Sequence, residues 1–150
     1  MLKTRIVWSF LGATPPLTFG FLGFRTLLLP LEAYHRETPS TGTVVDVGCG
    51  HGVVAQYLAR RSRNRQVVGY DLDQGRVAAA RRAAQGVSNL EFRGKPFAAG
   101  DQPPDAAVVI SATAAFVFLR STDSALSRPG ALADPLDRLT YVWTMTQFPT

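Results

Sequence analysis

The strongest constraint on the fold of this chain is a short β-branched run that ends in alternating glycines. Residues 43–47 have the length and composition of a buried strand, and Gly48, Gly50 and Gly52 follow them. Glycine has no Cβ atom, so the chain can turn sharply there and a ligand can lie against its backbone. Apolar side chains then recur at helical spacing over residues 52–61, and the start of such a helix offers free N–H groups. The segment therefore predicts a strand, a ligand-binding turn and a helix.

The same alternation of strands and helices continues downstream. Residues 74–85 form a predicted helix, which Asp73 caps and Gly86 ends. Strands connected by helices of about ten residues require a parallel sheet with right-handed crossovers, so the sequence predicts an α/β fold. The further strands are predicted at residues 66–70, 89–93 and 105–110.

The segment after residue 111 allows more than one interpretation. Residues 112–119 fit either a helix or an apolar extension, and residues 127–130 are typical of a turn. Residues 139–147 alternate with a period of two, which indicates a half-buried strand.

The composition is that of one ordinary globular domain. The chain has 150 residues, of which 46% are hydrophobic and 18% are charged, and this is enough to bury a core. Its single cysteine, Cys49, cannot form an internal disulfide, which favours a reducing, cytoplasmic compartment. Arginine, alanine, glycine and proline are frequent and lysine is rare, a usage typical of GC-rich bacterial genomes.

The formal charge of +5 raises the question of anionic partners. Arginines cluster at residues 60–65 and 76–82, on or beside predicted helices, and the simpler interpretation is a solvated helix face. A nucleic-acid partner would use the same clusters, but no aromatic residues interleave them as in nucleic-acid-binding patches. We therefore treat a nucleic-acid partner as the less favoured alternative.

The N-terminal segment is unusually apolar. Residues 6–24 carry no charge, which raises the alternatives of a signal peptide or a membrane span. Pro15, Pro16 and three glycines interrupt this run, and both alternatives are disfavoured for that reason. We expect instead a segment that packs on the sheet or lies on a membrane surface, with a helix at residues 31–37.

A linker at residues 38–42 divides the chain. We predict an N-terminal apolar and helical segment over residues 1–41. The main α/β domain then occupies residues 42–150.

A carboxylate ends the second predicted strand. Asp71 follows Gly50 by 21 residues, and a carboxylate there can accept two hydrogen bonds from a ribose diol, as in dinucleotide-binding folds. The dinucleotide fingerprint is G-x-G-x-x-G, however, whereas residues 48–52 run G-x-G-x-G. This spacing disfavours a nicotinamide-dependent oxidoreductase.

Two motifs in combination resemble those of a known family. Residues 46–52 form the pattern D-x-G-x-G-x-G, and residues 67–73 run VVGYDLD. Both are similar to motifs of the class I S-adenosylmethionine-dependent methyltransferases, and the resemblance covers residues 43–111. It implies a Rossmann-like, mostly parallel sheet with helices on both faces, and an enzyme that transfers a methyl group from S-adenosylmethionine.

The resemblance also implies a cofactor site. Asp46 would orient the loop and help hold the methionine amino group, Asp71 would bind the ribose hydroxyls, and Leu72 would pack on adenine. The alternative for Asp46 is a carboxylate that caps only backbone N–H groups, and for Asp71 it is a turn or helix-cap role. The implied cofactor-binding residues are Asp46, Gly48, Cys49, Gly50, His51, Gly52, Asp71 and Leu72.

No catalytic residue follows from the sequence. Cys49 and His51 suggest a nucleophile and a base, but small or polar residues commonly fill such loops, and these two are too few for a metal site. Tyr34 and His35 precede the core, where this family often builds its substrate lid; amphipathic packing is the alternative.

The chain departs from the family pattern at two places. The third strand ends in Arg93-Gly94-Lys95, where the family has Gly-Asp to bind adenine, and Asp101 is the candidate replacement. The C-terminal part has no room for the sixth and seventh strands of the family, so we expect a sheet that is incomplete on that side. An inactive or fragmentary binding module is therefore the alternative function, and an open sheet edge would permit a homodimer.

The apolar N-terminal segment favours a hydrophobic acceptor. The predicted function is therefore an S-adenosylmethionine-dependent methyltransferase that acts on a small-molecule or lipid-like acceptor. Peripheral membrane contact through residues 1–41 is a further expectation.

Overall fold

The computed structural model of the chain describes residues 1–98, 101, 104–110, 114–120 and 139–146. Within these ranges, three helices precede an alternation of strands and helices, and two further strands follow. In chain order the elements are α1 (Leu2–Ser9), α2 (Pro16–Leu28), α3 (Leu31–Glu37), β1 (Gly42–Val47), α4 (Val53–Arg61), β2 (Arg65–Tyr70), α5 (Gln74–Ala83), β3 (Leu90–Arg93), β4 (Ala106–Ile110), β5 (Ala114–Arg120) and β6 (Leu139–Thr146).

The strands form a sheet in the order β3-β2-β1-β4-β5-β6. β1 lies between β2 and β4 and is parallel to both, and β2 is parallel to β3 on its other side. The register pairs Val47 with Tyr70, so β1 and β2 end side by side. The turns that follow these two strands therefore meet at one edge of the sheet, where open α/β sheets bind their ligands.

The last two described strands are antiparallel to their neighbours. β5 returns beside β4, and β6 returns beside β5. The helical alternative for residues 112–119 is therefore wrong over residues 114–119, which belong to a strand, while residues 112 and 113 lie outside the described residues. Only three residues separate β4 from β5, which is too short for the crossover that a parallel strand needs, so the chain doubles back. The turn predicted at residues 127–130 lies outside the described residues.

Alternate side chains of the strands contribute to two separate cores. Val44, Val67 and Val108 belong to the larger core, which also contains side chains of all five described helices. Val45, Val68 and Tyr70 face the other way and form a smaller cluster with Ala107. Successive residues of a strand point to opposite faces, which explains this division. The Rossmann-like α/β fold is confirmed, and all five described helices contribute side chains to the larger core.

Helix α4 is enclosed on two sides. Every residue from Val53 to Ala59 is buried, because the helix packs on β1 and β2 with one side and on α1 and α3 with the other. A helix that is buried all round belongs to the interior of a domain. The N-terminal helices therefore complete the layer over the sheet.

The N-terminal segment is not one continuous element. α1 ends at Ser9 and α2 begins at Pro16, where proline fits the first turn of a helix. In the part of the chain that the structure describes, no helix is long and apolar enough to cross a membrane. The helix predicted at residues 31–37 is confirmed as α3.

Arg65 corrects the expectation that residues 60–65 form a solvated basic face. Its side chain is fully buried, and its guanidinium donates to the carbonyl oxygens of Pro39 at 2.6 Å, Leu58 at 3.0 Å and Thr38 at 3.1 Å. Burial lowers the pKa of Arg65 to about 10. Arg65 therefore fastens the linker before β1 to the end of α4, because only a long side chain with several donors can satisfy three buried carbonyls at once.

Candidate functional site

The glycines of the β1–α4 loop serve two different purposes. Gly48, Gly50 and Gly52 all have positive φ angles, of 71°, 56° and 77°. A Cβ atom added to Gly48 or Gly50 would meet no other atom within 4 Å, whereas one added to Gly52 would collide with the ring of Phe92. Gly48 and Gly50 therefore present backbone to open space that a ligand can enter, and Gly52 permits close packing between the loop and β3.

Asp71 joins the loop to the end of β2. Its Oδ2 atom accepts a hydrogen bond from the backbone N–H of Gly50 at 2.7 Å, and its Oδ1 atom accepts one from the N–H of Asp73 at 2.9 Å. The residue is half-buried. A carboxylate has about four acceptor positions, so both oxygens keep capacity for a ligand hydroxyl.

Asp46 is buried beside the loop and contacts the helix that follows it. Its side chain is 2% exposed, and its Oδ2 atom accepts a hydrogen bond from the N–H of Ala55 at 3.1 Å, in the first turn of α4. Burial raises the pKa of Asp46 to about 7; the charge of Asp71 adds to this shift, and that of Arg25 opposes it. This hydrogen bond is the one expected if Asp46 caps a backbone N–H group. It fixes the direction in which α4 leaves the loop.

Cys49 is poorly suited to act as a nucleophile. Its backbone N–H donates to the Tyr70 carbonyl at 2.9 Å, and its side chain packs against the larger core. Burial and the nearby charges of Asp46 and Asp71 raise the pKa of the Cys49 thiol. The thiol therefore stays protonated, whereas nucleophilic cysteines need a lowered pKa.

His51 packs against the N-terminal segment. Its ring meets that of Phe10 edge-on, with 6.4 Å between the ring centroids. Burial lowers the pKa of His51, and the positive charge of Arg76 adds to this effect. The imidazole is therefore neutral at physiological pH, and its main visible role is to hold α1 against the loop.

The turn after β2 carries two further predicted residues. Leu72 is 71% exposed, which leaves a free apolar surface beside Asp71. Asp73 caps α5, because its Oδ1 atom accepts from the N–H of Arg76 at 3.0 Å. The predicted capping role of Asp73 is confirmed.

The end of β3 is basic, and sequence reasoning did not identify this group. Arg93 donates to the Tyr70 hydroxyl at 2.9 Å, and Lys95 forms an ion pair with Asp101 at 2.7 Å. Asp101, the candidate replacement for the adenine-binding aspartate of the family, thus lies close to the end of β3, but its carboxylate is already paired and only 7% of its side chain is exposed. The available signal was the pair of cations at the strand end, since Arg93 is the last residue of β3 and Lys95 follows it by two residues.

Tyr34 and His35 both contact other parts of the protein, and His35 is half-buried. Tyr34 is fully buried, and the Nδ1 atom of His35 lies 3.4 Å from the guanidinium of Arg65. These contacts show the packing role for both residues. Among the described side chains, no group of three or more His, Cys, Asp or Glu could hold a metal ion.

The sheet order and the glycine turn define a class of protein. A parallel α/β sheet in which a glycine turn after one strand meets a carboxylate after the next belongs to the Rossmann-like proteins that bind nucleotide-type ligands. Residues 44–130, more than half of the chain, match the family model described as a methyltransferase domain. The chain belongs to this methyltransferase family.

Comparisons with individual proteins cover parts of the chain. Over 48 residues the chain is 40% identical to the uncharacterized phycocyanin operon protein W of Pseudanabaena tenuis; the match spans 32% of this chain and 45% of that protein. A structure of coclaurine N-methyltransferase, bound to N-methylheliamine and SAH, is similar with a TM-score of 0.51 and 18% identity, over 55% of this chain and 26% of the enzyme. A structure of CalO1, a methyltransferase in calicheamicin biosynthesis, is similar with a TM-score of 0.42 and 26% identity. The match covers 53% of this chain and 25% of CalO1.

The chain thus spans less than half the length of the curated relative that it matches. The likeness to coclaurine N-methyltransferase supports the shared fold.

Proposed function

We propose that this chain binds S-adenosylmethionine at the β1–α4 loop and transfers its methyl group to a small-molecule or lipid-like acceptor. The observation that carries the proposal is the contact between Asp71 and the Gly50 N–H, which places a carboxylate beside open loop backbone at one edge of the sheet. Membership of the methyltransferase family supports it.

The residues present fit this cofactor. The free acceptor positions of Asp71 suit the two ribose hydroxyls, and the exposed side chain of Leu72 suits one face of adenine. The open backbone at Gly48 and Gly50 leaves room for the methionine part, while Asp46 holds the loop in place. We assign Cys49, His51 and Gly52 the role of shaping this loop.

When bound, the cofactor supplies a methyl group on a sulfonium, which an acceptor attacks in line. The main task of the protein is then to hold the acceptor close and aligned, because proximity and orientation can supply much of the rate enhancement. We assign no general base to the described residues, since the ring of His51 is packed against Phe10 and the Cys49 thiol is protonated.

The acceptor is proposed to approach from the N-terminal side. Among the described side chains, the exposed large apolar ones concentrate in residues 1–28, with Leu72 as the exception. Apolar surface of this kind suits a hydrophobic acceptor. We therefore propose that residues 42–150 bind the cofactor and that residues 1–41 face the acceptor, in a cytoplasmic protein.

A nucleic-acid acceptor has less support. Arg65 and Arg82 both belong to the clusters that would contact phosphates, yet both donate to backbone carbonyls within the protein. A binding module without catalysis is the second candidate, because Arg93 and Lys95 stand where the family has a carboxylate for adenine. A homodimer through an open sheet edge stays a prediction.

Calorimetric titration of the full chain with S-adenosylmethionine tests the proposal. We expect binding to weaken at least tenfold in Asp71→Ala, because hydrogen bonds to a charged group contribute about 1.5–3 kcal/mol. Asp73→Ala is the matched control: it removes a neighbouring carboxylate that caps α5. NAD should not bind.

Equal affinity of the wild type and Asp71→Ala for S-adenosylmethionine would contradict the proposed site. An absence of binding by folded wild-type protein would contradict the function as a whole. Binding without methyl transfer to any acceptor in a broad screen would favour the second candidate.

A further inference from the structure

Helix α2 carries an apolar stripe on its outer face. Leu17, Phe21, Phe24 and Leu28 are 91%, 61%, 65% and 55% exposed. At about 100° per residue, these four positions fall within about 60° of one another around the helix axis. The opposite side of α2 carries Leu22 and Thr26, which are buried, so the helix packs with one face and presents four large apolar side chains with the other.

The charged side chains placed beside the stripe are basic. They are Lys3 and Arg25, and residues 1–31 contain no Asp or Glu. Arg25 is exposed and flanks the stripe. The Nζ atom of Lys3 donates to the carbonyl oxygens of Leu27 at 3.1 Å and Leu29 at 2.6 Å, which places its charge at the C-terminal end of α2.

These features together favour one kind of occupant for the face. A second copy of the same face would bring like charges together, which is unfavourable. A purely apolar partner would leave the basic rim without a counter-charge. A helix with exposed apolar residues, flanked by Lys and Arg, matches instead the helices that lie in the plane of a membrane interface.

We propose that the outer face of α2 lies in the headgroup region of an anionic phospholipid bilayer. The four apolar side chains enter the acyl boundary, and the basic side chains contact the lipid phosphates. α2 has 13 residues and is about 20 Å long, whereas a span requires about 30 Å, so the helix lies along the surface.

This arrangement would bring the proposed methyl-donor site close to the lipid. α2 is held through α1, which packs on α4, and through Arg82 of α5, which donates to the carbonyl of Ala13 at 3.0 Å. Phe10, between α1 and α2, contacts His51 of the glycine loop. The surface itself depends on neither the cofactor nor the proposed activity.

Flotation of the full chain with vesicles tests the proposal without any cofactor. We expect the protein to float with vesicles that contain phosphatidylglycerol and to remain behind with phosphatidylcholine alone. Phe21→Gln/Phe24→Gln should weaken partitioning at least tenfold, because both side chains lose favourable transfer from water. Arg25→Gln should weaken it about fivefold at low salt, and less at high salt.

Matched controls lie outside α2. Leu72→Gln changes an equally exposed apolar side chain, and Arg63→Gln changes an exposed arginine; both should float like the wild type. Unchanged circular dichroism and unfolding midpoint would show that each variant is folded.

Three results would overturn the proposal. The first is folded wild-type protein that does not float with anionic vesicles. The second is equal flotation of the wild type and the phenylalanine variant. The third is concentration-dependent self-association that the phenylalanine variant abolishes while vesicles have no effect, since the face would then be a contact between copies. Calorimetry with S-adenosylmethionine is independent of all three.

Discussion

Asp46 combines deep burial with an ionisable carboxyl group. Its known hydrogen-bond donor is the Ala55 N–H, and only the charge of Arg25 lowers its pKa from a distance. A buried, ionised carboxylate without a close cation is unfavourable, and protonation removes the free-energy cost of burying its charge. The charge state of Asp46 is therefore sensitive to pH near neutrality.

The raised pKa of Asp46 predicts how stability depends on pH. In the folded protein the pKa is about 7, and in the unfolded chain it is near the ordinary 3.8. The folded state thus binds the proton more tightly, so this contribution to stability is complete below pH 4. It is lost as the pH rises to 7, at about 1.4 kcal/mol per unit within that window.

Asp46→Asn tests this prediction, because the amide oxygen can still accept from Ala55. The free energy of unfolding of the wild type should fall relative to that of Asp46→Asn between pH 4 and pH 7, as measured by urea denaturation at several pH values. Parallel pH profiles of the two proteins would show that Asp46 has an ordinary pKa. Asp105→Asn provides a control for the general effect of removing an aspartate.

At the scale of elements, the β1–α4 turn depends on contact with β3 as well as on its own glycines. Gly52 sits against the ring of Phe92, while Gly50 borders open space. The same substitution at these two glycines therefore separates packing from ligand access.

We expect Gly52→Ala to destabilise the fold and Gly50→Ala to impair ligand binding. Both variants adopt a positive φ at a cost of about 1–2 kcal/mol, and Gly52→Ala adds a steric clash of about 1–3 kcal/mol. Urea denaturation should therefore show a larger loss in Gly52→Ala. Titration with S-adenosylmethionine should show at least a tenfold weaker affinity in Gly50→Ala; equal stability losses in the two variants would contradict this division of roles.

The sequence predicted elements well where a local pattern decides the structure. The β-branched run of β1, the capped helix α5 and the helix α3 each follow from nearest neighbours along the chain. The burial of Arg65 did not follow, because its three carbonyl partners lie up to 27 residues away. The antiparallel return of β5 depended on the length of its connection, which the ambiguous apolar segment at 112–119 concealed.

Part of the candidate site was predictable from the sequence, and part was not. The pairing of Asp71 with the glycine loop follows from parallel β1 and β2 ending together, so a motif and a topology rule sufficed. The basic group of Arg93 and Lys95 depends on how side chains arrange around Tyr70, and no spacing rule describes that.

At the scale of the whole molecule, residues 1–41 share the core of the sheet. Ile6, Phe10, Leu31 and Tyr34 are all fully buried within the larger core. These residues cover the outer side of α4. Residues 1–41 are therefore part of the same packed layer as the helices of the α/β domain.

A chain that begins at residue 42 should therefore fail to fold cooperatively. Each large apolar side chain contributes about 1.5–3 kcal/mol on burial, so four of them are comparable to the total stability of a typical domain, which is about 5–15 kcal/mol. The measurement is thermal unfolding followed by near-ultraviolet circular dichroism, compared between residues 42–150 and the full chain. Phe21→Gln/Phe24→Gln in the full chain is the control, because it changes α2 only on the exposed face and should retain the transition. A cooperative transition of residues 42–150 at the midpoint of the full chain would mean that the N-terminal helices are an appendage, and that the outer side of α4 needs no cover.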